Sequence, residues 1–135
     1  MKITNDSLMA AMYLFEKENG NELDQSSIQE IQKEGFADAN PDDLVNSIRS
    51  FLYSATDDDP LLGTAIFALG KLYDSNLKGL FVEMLRRSLD NNPHALFQTL
   101  VALDNLEQNV LPDGGSFNEY ERNKRLAKDY LKRVA

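Results

Sequence analysis

The chain has 135 residues, the usual length of one domain, and its 42% hydrophobic content is enough for a single core. It has no cysteine, which excludes disulfides, thiolate catalysis and cysteine-ligated metal sites. The net charge is −8, and no segment approaches the roughly 20 apolar residues of a membrane span. We therefore expect a soluble cytoplasmic protein that does not bind membranes.

The charge is distributed unevenly along the sequence. Residues 1–115 hold nineteen acidic and eight basic residues, whereas residues 116–135 hold three acidic and six basic ones. An acidic body repels nucleic acid and anionic membranes, and it attracts cationic partners and speeds their encounter. Acidity also serves solubility alone, so the composition leaves a basic protein partner and simple solubility as open alternatives.

Apolar residues recur at helical spacing along the whole chain, and no stretch shows the alternation of a β-strand. This periodicity predicts seven helices, over residues 6–18, 25–34, 41–54, 60–73, 77–89, 93–108 and 117–134. Asp24 is a suitable N-cap for the second helix, and Leu23 and Ile28 occupy the positions of a hydrophobic staple around it. Three later helices are predicted to begin at Asn or Asp followed by proline: Asn40-Pro41, Asp59-Pro60 and Asn92-Pro93.

The fourth predicted helix, residues 60–73, is apolar nearly all round, which is typical of a central buried helix. The links between helices are short except at the turn 111–116, so successive helices are expected to pack as antiparallel neighbours. The predicted core includes one or more apolar residues from each of four helices: Leu44, Ile48, Phe51, Ile66, Leu69, Phe81, Leu85, Leu100 and Leu103.

Two of these helices are weakly similar in sequence, which indicates an internal repeat. The stretch AIFALGKL (65–72) aligns with TLVALDNL (99–106) at an offset of 34, and the two proline starts align at an offset of 33. This pattern resembles HEAT-like repeats, with units at about 24–54, 57–90 and 92–134. We expect one all-α domain, 1–135, of about seven helices in antiparallel hairpins, either a right-handed HEAT-like α-solenoid or a compact helical bundle.

The sequence offers little for catalysis or metal binding. His94 is the only histidine, and its place in a first helical turn indicates an exposed residue without a catalytic role. Residues 74–85 do not match the pattern of a calcium-binding loop, because Lys78 and Leu85 occupy positions where the pattern requires oxygen ligands. Glu30 and Glu34 lie on a solvated helix face, and no phosphate-binding glycine loop occurs. We expect a protein that is not an enzyme and needs no cofactor or metal.

The last predicted helix is basic, with acidic residues interspersed. Its basic residues are Arg122, Lys124, Arg125, Lys128, Lys132 and Arg133. A nucleic-acid contact and an intramolecular pairing with the acidic body are both open, and the interspersed acids favour the intramolecular pairing. We therefore expect no nucleic-acid partner.

Seven aspartates fall between predicted helices or in their first turns: Asp38, Asp42, Asp43, Asp57, Asp58, Asp59 and Asp90. Asp59 is predicted to cap the helix that follows it. The other six are the candidate partner-binding residues, and solvated loop charge is the alternative for each. The helix 41–54 spans about 20 Å, so the carboxylates at its two ends cannot form one compact site.

A small, acidic, cysteine-free helical-repeat chain resembles bacterial immunity proteins of contact-dependent toxin systems. That resemblance implies a non-catalytic module that neutralises a basic, nuclease-type toxin by covering its active site. A HEAT-like adaptor or regulatory subunit and an acidic DNA mimic are the alternatives, and HEAT-like DNA glycosylases fit poorly because they need a basic groove. The free chain is expected to be a monomer or a weak dimer.

Overall fold

A computed structural model describes residues 1–116 and 118–134, and within them the chain is all-α, as predicted. The seven helices are α1 (Asn5–Glu18), α2 (Gln25–Lys33), α3 (Pro41–Ser54), α4 (Leu62–Gly70), α5 (Lys78–Ser88), α6 (Pro93–Asn105) and α7 (Tyr120–Val134). A short 3-10 turn, Ser75–Leu77, leads into α5. The predicted start of the last helix at residue 117 lies outside the described residues.

Most helix starts are fixed by the side chain that precedes them. Asp24 accepts a hydrogen bond from the Ser27 amide at 2.8 Å, which confirms the predicted cap of α2. Asn40 and Asn92 likewise cap α3 and α6, each with proline at the first helical position. The cap of α1 is Thr4, which was not predicted.

The fourth helix is shorter than the predicted 60–73. The Asp59 carboxylate accepts from the Leu61 amide at 2.8 Å, and this bond folds Pro60 and Leu61 into a turn before α4 begins at Leu62. Asp59 therefore organises the approach to the helix, but the prediction that it is the N-cap is wrong, because Leu61 holds that position. The helix ends at Gly70, and Tyr73 then takes a left-handed conformation with φ of 51°.

Three helices, α1, α4 and α6, lie side by side and run in the same direction. The start of α4 meets the start of α6, where Gly63 lies against the ring of His94. At the far end the Asn105 side chain donates to the Gly70 carbonyl at 3.4 Å. Just beyond the end of α1, Asn19 donates to the Lys71 carbonyl at 2.6 Å. The parallel placement of α4 and α6 is compatible with the 34-residue offset in the sequence, and the division into repeat units stays a prediction.

The C-terminal helix does not form the antiparallel hairpin expected for residues 92–134. The Tyr120 hydroxyl, at the start of α7, donates to the Leu89 carbonyl at 3.0 Å, beside the start of α6. The Tyr130 hydroxyl, near the end of α7, donates to the Gln108 side chain at 3.0 Å, beyond the end of α6. Helix α7 therefore runs parallel to α6, because the connection between residues 105 and 120 is long enough to return along the molecule.

One continuous core joins all seven helices. Eight of the nine predicted core residues are buried, and the exception is Phe51, which is half-buried while its neighbour Leu52 is fully buried. A helix turns by about 100° per residue, so the inward face of α3 runs through Leu44, Ile48 and Leu52 and only its edge includes Phe51.

Candidate functional site

The candidate aspartates fall into two groups at opposite ends of α3. Asp42 and Asp43 lie in its first turn, and the segment with Asp57 and Asp58 follows its last turn. Asp90 joins the second group, because the end of α5 lies against that segment. The structure therefore keeps the two groups apart, as predicted from the length of the helix.

Asp57 is held by an arginine of α5. The guanidinium of Arg87 donates from Nε to the Asp57 carboxylate at 2.7 Å, and its two terminal nitrogens donate to the carbonyls of Leu52 at 2.6 Å and Ala55 at 2.8 Å. Those carbonyls are among the unpaired acceptors at the end of α3. Asp57 is therefore not the solvated loop charge that was the alternative for it, because its carboxylate pairs with Arg87 at the end of α3. Its assignment to a partner surface stays a prediction.

Asn92 ties the same segment to α6. Its side-chain oxygen caps the helix by accepting from the Ala95 amide at 3.1 Å. Its side-chain nitrogen donates to the carbonyls of Asp57 at 3.2 Å and Asp59 at 3.0 Å. Both the oxygen and the nitrogen of this buried amide are thus hydrogen-bonded. The segment before α4 is held by Arg87 of α5 and by Asn92 at the start of α6. Asp58 is exposed and accepts a hydrogen bond from the Thr56 hydroxyl at 2.8 Å.

Asp90 is engaged by the basic C-terminal helix. Lys124 lies 3.3 Å from its carboxylate, and the hydrogen bond with Asp90 raises the pKa of Lys124. The predicted pairing of the basic helix with the acidic body is confirmed for Lys124. Arg122 pairs within its own segment, with Glu119 at 3.6 Å and Asp113 at 3.9 Å.

The acidic charge that lacks an ion pair within the described residues is concentrated between the end of α1 and the start of α3. Residues 18–43 contain eight acidic residues and one basic residue: Glu18, Glu22, Asp24, Glu30, Glu34, Asp38, Asp42 and Asp43 against Lys33. Within the described part of the chain, the ion pairs involve none of these eight carboxylates. The hydrogen bonds from Ser27 lower the pKa of Asp24, which favours its charged form. We call residues 18–43 the acidic segment.

Two features place the acidic segment at one end of the molecule. Ala37 lines one groove together with Leu14 and Lys17 of α1, so Asp38 lies on the side of the molecule where that helix ends. The parallel helices α1, α4 and α6 also finish at this end, where their dipoles add partial negative charge. Of the six candidate residues, Asp38, Asp42 and Asp43 lie here, exposed and without an ion pair to any described residue.

A groove opens between α1 and α2 within the acidic segment. It has a volume of about 500 Å³ and is lined by Leu14, Lys17, Asn21, Glu22, Leu23, Ile28, Ile31, Gln32 and Ala37. Sequence reasoning did not predict it, although it named Leu23 and Ile28 as a staple around Asp24. The available signal was that α2 offers only two large apolar residues, Ile28 and Ile31, and therefore cannot cover much of α1.

His94 is not the exposed residue that was predicted. It is half-buried in the first turn of α6 against Gly63, and this burial lowers the pKa of its imidazole. Among residues 1–116 and 118–134 there is no group of three or more His, Cys, Asp or Glu side chains placed to hold a metal ion. In the same residues no helix is long and apolar enough to cross a membrane.

Comparison of this chain with known proteins gives no matching family model, no matching curated protein and no matching solved structure. The resemblance to HEAT-like immunity proteins therefore stays a prediction.

Proposed function

We propose that this protein is a non-catalytic binding module that neutralises a basic protein, in the manner of an immunity protein that covers the active site of a nuclease-type toxin. The observation that carries the proposal is the acidic segment, residues 18–43, in which eight carboxylates have no ion pair within the described chain. Asp57 and Asp90, which link elements of the fold, are ion-paired, whereas an unpaired acidic surface steers and binds cations.

The placement of the charge supports a protein partner. Residues 1–59 hold thirteen acidic and four basic residues, whereas residues 60–135 hold nine acidic and ten basic residues. The negative net charge therefore lies in the N-terminal part of the chain. A solubilising charge needs no such separation. A partner with a positively charged cleft would meet a matching negative surface, and the association would be fast and sensitive to salt.

The test begins with the reading frame that lies beside the gene for this chain. Its product is expressed alone and together with this chain in a bacterial host, and the purified pair is analysed by size-exclusion chromatography and stopped-flow association. We expect toxicity that co-expression relieves, a stable complex, and an association rate that falls steeply as ionic strength rises. A neighbouring product that is neither toxic nor bound by this chain contradicts the proposal.

Two charge-matched variants locate the surface. The first carries Asp38→Asn, Asp42→Asn and Asp43→Asn, and the second carries Glu83→Gln, Glu107→Gln and Asp129→Asn, which are exposed acids outside the acidic segment. The net charge changes equally in both. We expect the first variant to associate about tenfold more slowly at low salt and the second to stay within about twofold of the wild type. Equal rates for the two variants would show that net charge, and not this surface, governs binding.

A further inference from the structure

The groove between α1 and α2 combines an apolar floor with an acidic surround. Leu14 and Ile31 are buried at its base, Leu23 is partly buried, and Ile28 keeps 36% of its surface exposed. A large aliphatic side chain that remains open beside buried ones offers a partner a ready apolar contact. The volume of about 500 Å³ lies in the range of sites that enclose several side chains or a small molecule.

Helix α2 is responsible for this opening. It is nine residues long and packs principally on α1, and only Ser27 and Ile31 of its residues are buried. The chain then turns away at Gly35, whose φ of 78° is the left-handed conformation that glycine adopts readily. Among the described helices α1 is the main neighbour of α2, and the side of α2 that carries Ile28 stays partly open.

The groove lies within the acidic segment, and its rim carries carboxylates, although its lining residues include one acid and one base. Glu22 lines it directly, and Asp24 and Asp38 follow the lining residues Leu23 and Ala37 in the sequence. Lys17 is the one basic residue among the lining residues given above. An apolar patch bordered by carboxylates complements a segment that carries apolar side chains flanked by lysine or arginine.

From this arrangement we infer that the groove binds an amphipathic, basic segment of the partner protein. The apolar side chains of that segment pack against Ile28 and Leu23, and its cations contact the carboxylates at the rim. This inference rests on the proposed function and specifies the contact that supplies binding energy beyond charge. A few buried apolar anchors usually carry most of the affinity of an interface, and the surrounding charges mainly set rate and specificity.

A second copy of this chain is a poorer occupant. Among the described elements its basic helix α7 is the only strongly cationic one, but Ala127 and Tyr130 of that helix are buried in its own core, and Leu126 and Leu131 are partly buried there. The residues of α7 that are exposed are all charged, so this helix presents no fully exposed apolar side chain to insert. The other half of a second copy is acidic and would repel the rim.

The experiment uses three fluorescent peptides of about 14 residues, or about four helical turns, as probes. The first has leucine at helical spacing with lysine elsewhere, the second replaces the leucines with serine, and the third replaces the lysines with glutamate. Binding to the full-length protein is measured by fluorescence anisotropy at low and moderate salt. We expect the leucine–lysine peptide to bind at least about tenfold more tightly than either of the others.

Matched variants identify the groove. Ile28→Ser removes the exposed aliphatic side chain, and Tyr53→Ser removes an apolar side chain of α3 that is 55% exposed and does not line the groove. We expect Ile28→Ser to weaken binding of the leucine–lysine peptide about fivefold and Tyr53→Ser to leave it unchanged. Circular dichroism and urea unfolding confirm that both variants remain folded, and amide chemical shifts of Leu23 and Ile31 should move when the peptide binds.

The outcomes separate the two proposals. If the serine–lysine peptide binds as tightly as the leucine–lysine peptide and Ile28→Ser has no effect, the groove inference fails while the acidic surface keeps its proposed role. If the leucine–glutamate peptide binds equally well, the groove is a general apolar site and the basic partner is refuted. A dimer that Ile28→Ser dissociates would assign the groove to a second copy and overturn the inference.

Discussion

Replacement of Arg87 by alanine should be among the most damaging single changes outside the apolar core. The guanidinium, whose side chain is only 19% exposed, closes the end of α3 through the carbonyls of Leu52 and Ala55 and pairs with Asp57. Hydrogen bonds to a charged group contribute about 1.5–3 kcal/mol each, and an exposed ion pair contributes less than about 1 kcal/mol. Two carbonyl bonds near the lower value give a loss of about 3 kcal/mol for Arg87→Ala.

The same reasoning ranks three variants. Asp57→Ala removes only the ion pair, whose acidic side chain is 47% exposed, and should cost less than about 1 kcal/mol. Arg87→Lys keeps the charge but loses the fork that reaches both carbonyls, so it should cost about 2 kcal/mol. The measurement is urea unfolding followed by circular dichroism, at low salt and at high salt. Salt should shrink the effect of Asp57→Ala and leave most of the effect of Arg87→Ala.

Two results would refute this account of the contact between Arg87 and the end of α3. A loss below about 1 kcal/mol for Arg87→Ala would mean that water replaces the guanidinium at the two carbonyls without cost. Equal losses for Arg87→Ala and Asp57→Ala would mean that the ion pair, and not the carbonyl bonds, holds α5 to α3.

Asn92→Ala should lower the free energy of unfolding by about 2–3 kcal/mol, because it removes a helix cap and two hydrogen bonds to the segment before α4. Asn40→Ala removes only an exposed cap and should lower it by about 1 kcal/mol. Equal losses in urea unfolding would contradict the bridging role of Asn92. Gly63→Ala should destabilise by about 1–3 kcal/mol, since its new methyl group collides with the His94 ring, and most of that loss should vanish when His94→Ala is combined with it. Burial lowers the pKa of His94 below its ordinary value near 6.5, so the unfolded chain binds the proton more readily and stability falls as the pH drops below about 6.5. His94→Gln should flatten this part of the pH profile of urea unfolding, and an unchanged slope would assign the effect to other groups.

The candidate partner-binding residues could be assessed only in part from the sequence. The excess of acid in the body was visible at once, and so was the separation of Asp42 and Asp57 by the length of one helix. The sequence did not distinguish the carboxylates that the fold uses from those it leaves free. That distinction depends on Arg87 and Lys124, which are 30 or more residues away along the chain from Asp57 and Asp90 respectively.

The sequence by itself determined the helical class, the number of helices and most of their starts. Caps at Asp24, Asn40 and Asn92 act on amides within three residues, so their effect is already contained in the local sequence. The apolar periodicity likewise fixed the inward faces, with an error of one residue at Phe51.

Tertiary structure alone decided the direction of α7, the surroundings of His94 and the groove beside α2. Each depends on contacts between residues far apart in the chain: Tyr130 with Gln108, His94 with Gly63, and the limited packing of α2 on α1. A local pattern states which face of a helix is apolar, but it does not state which neighbour covers that face or leaves it open. Packing among several helices settles that choice, and here it left an apolar groove open within the most acidic part of the molecule.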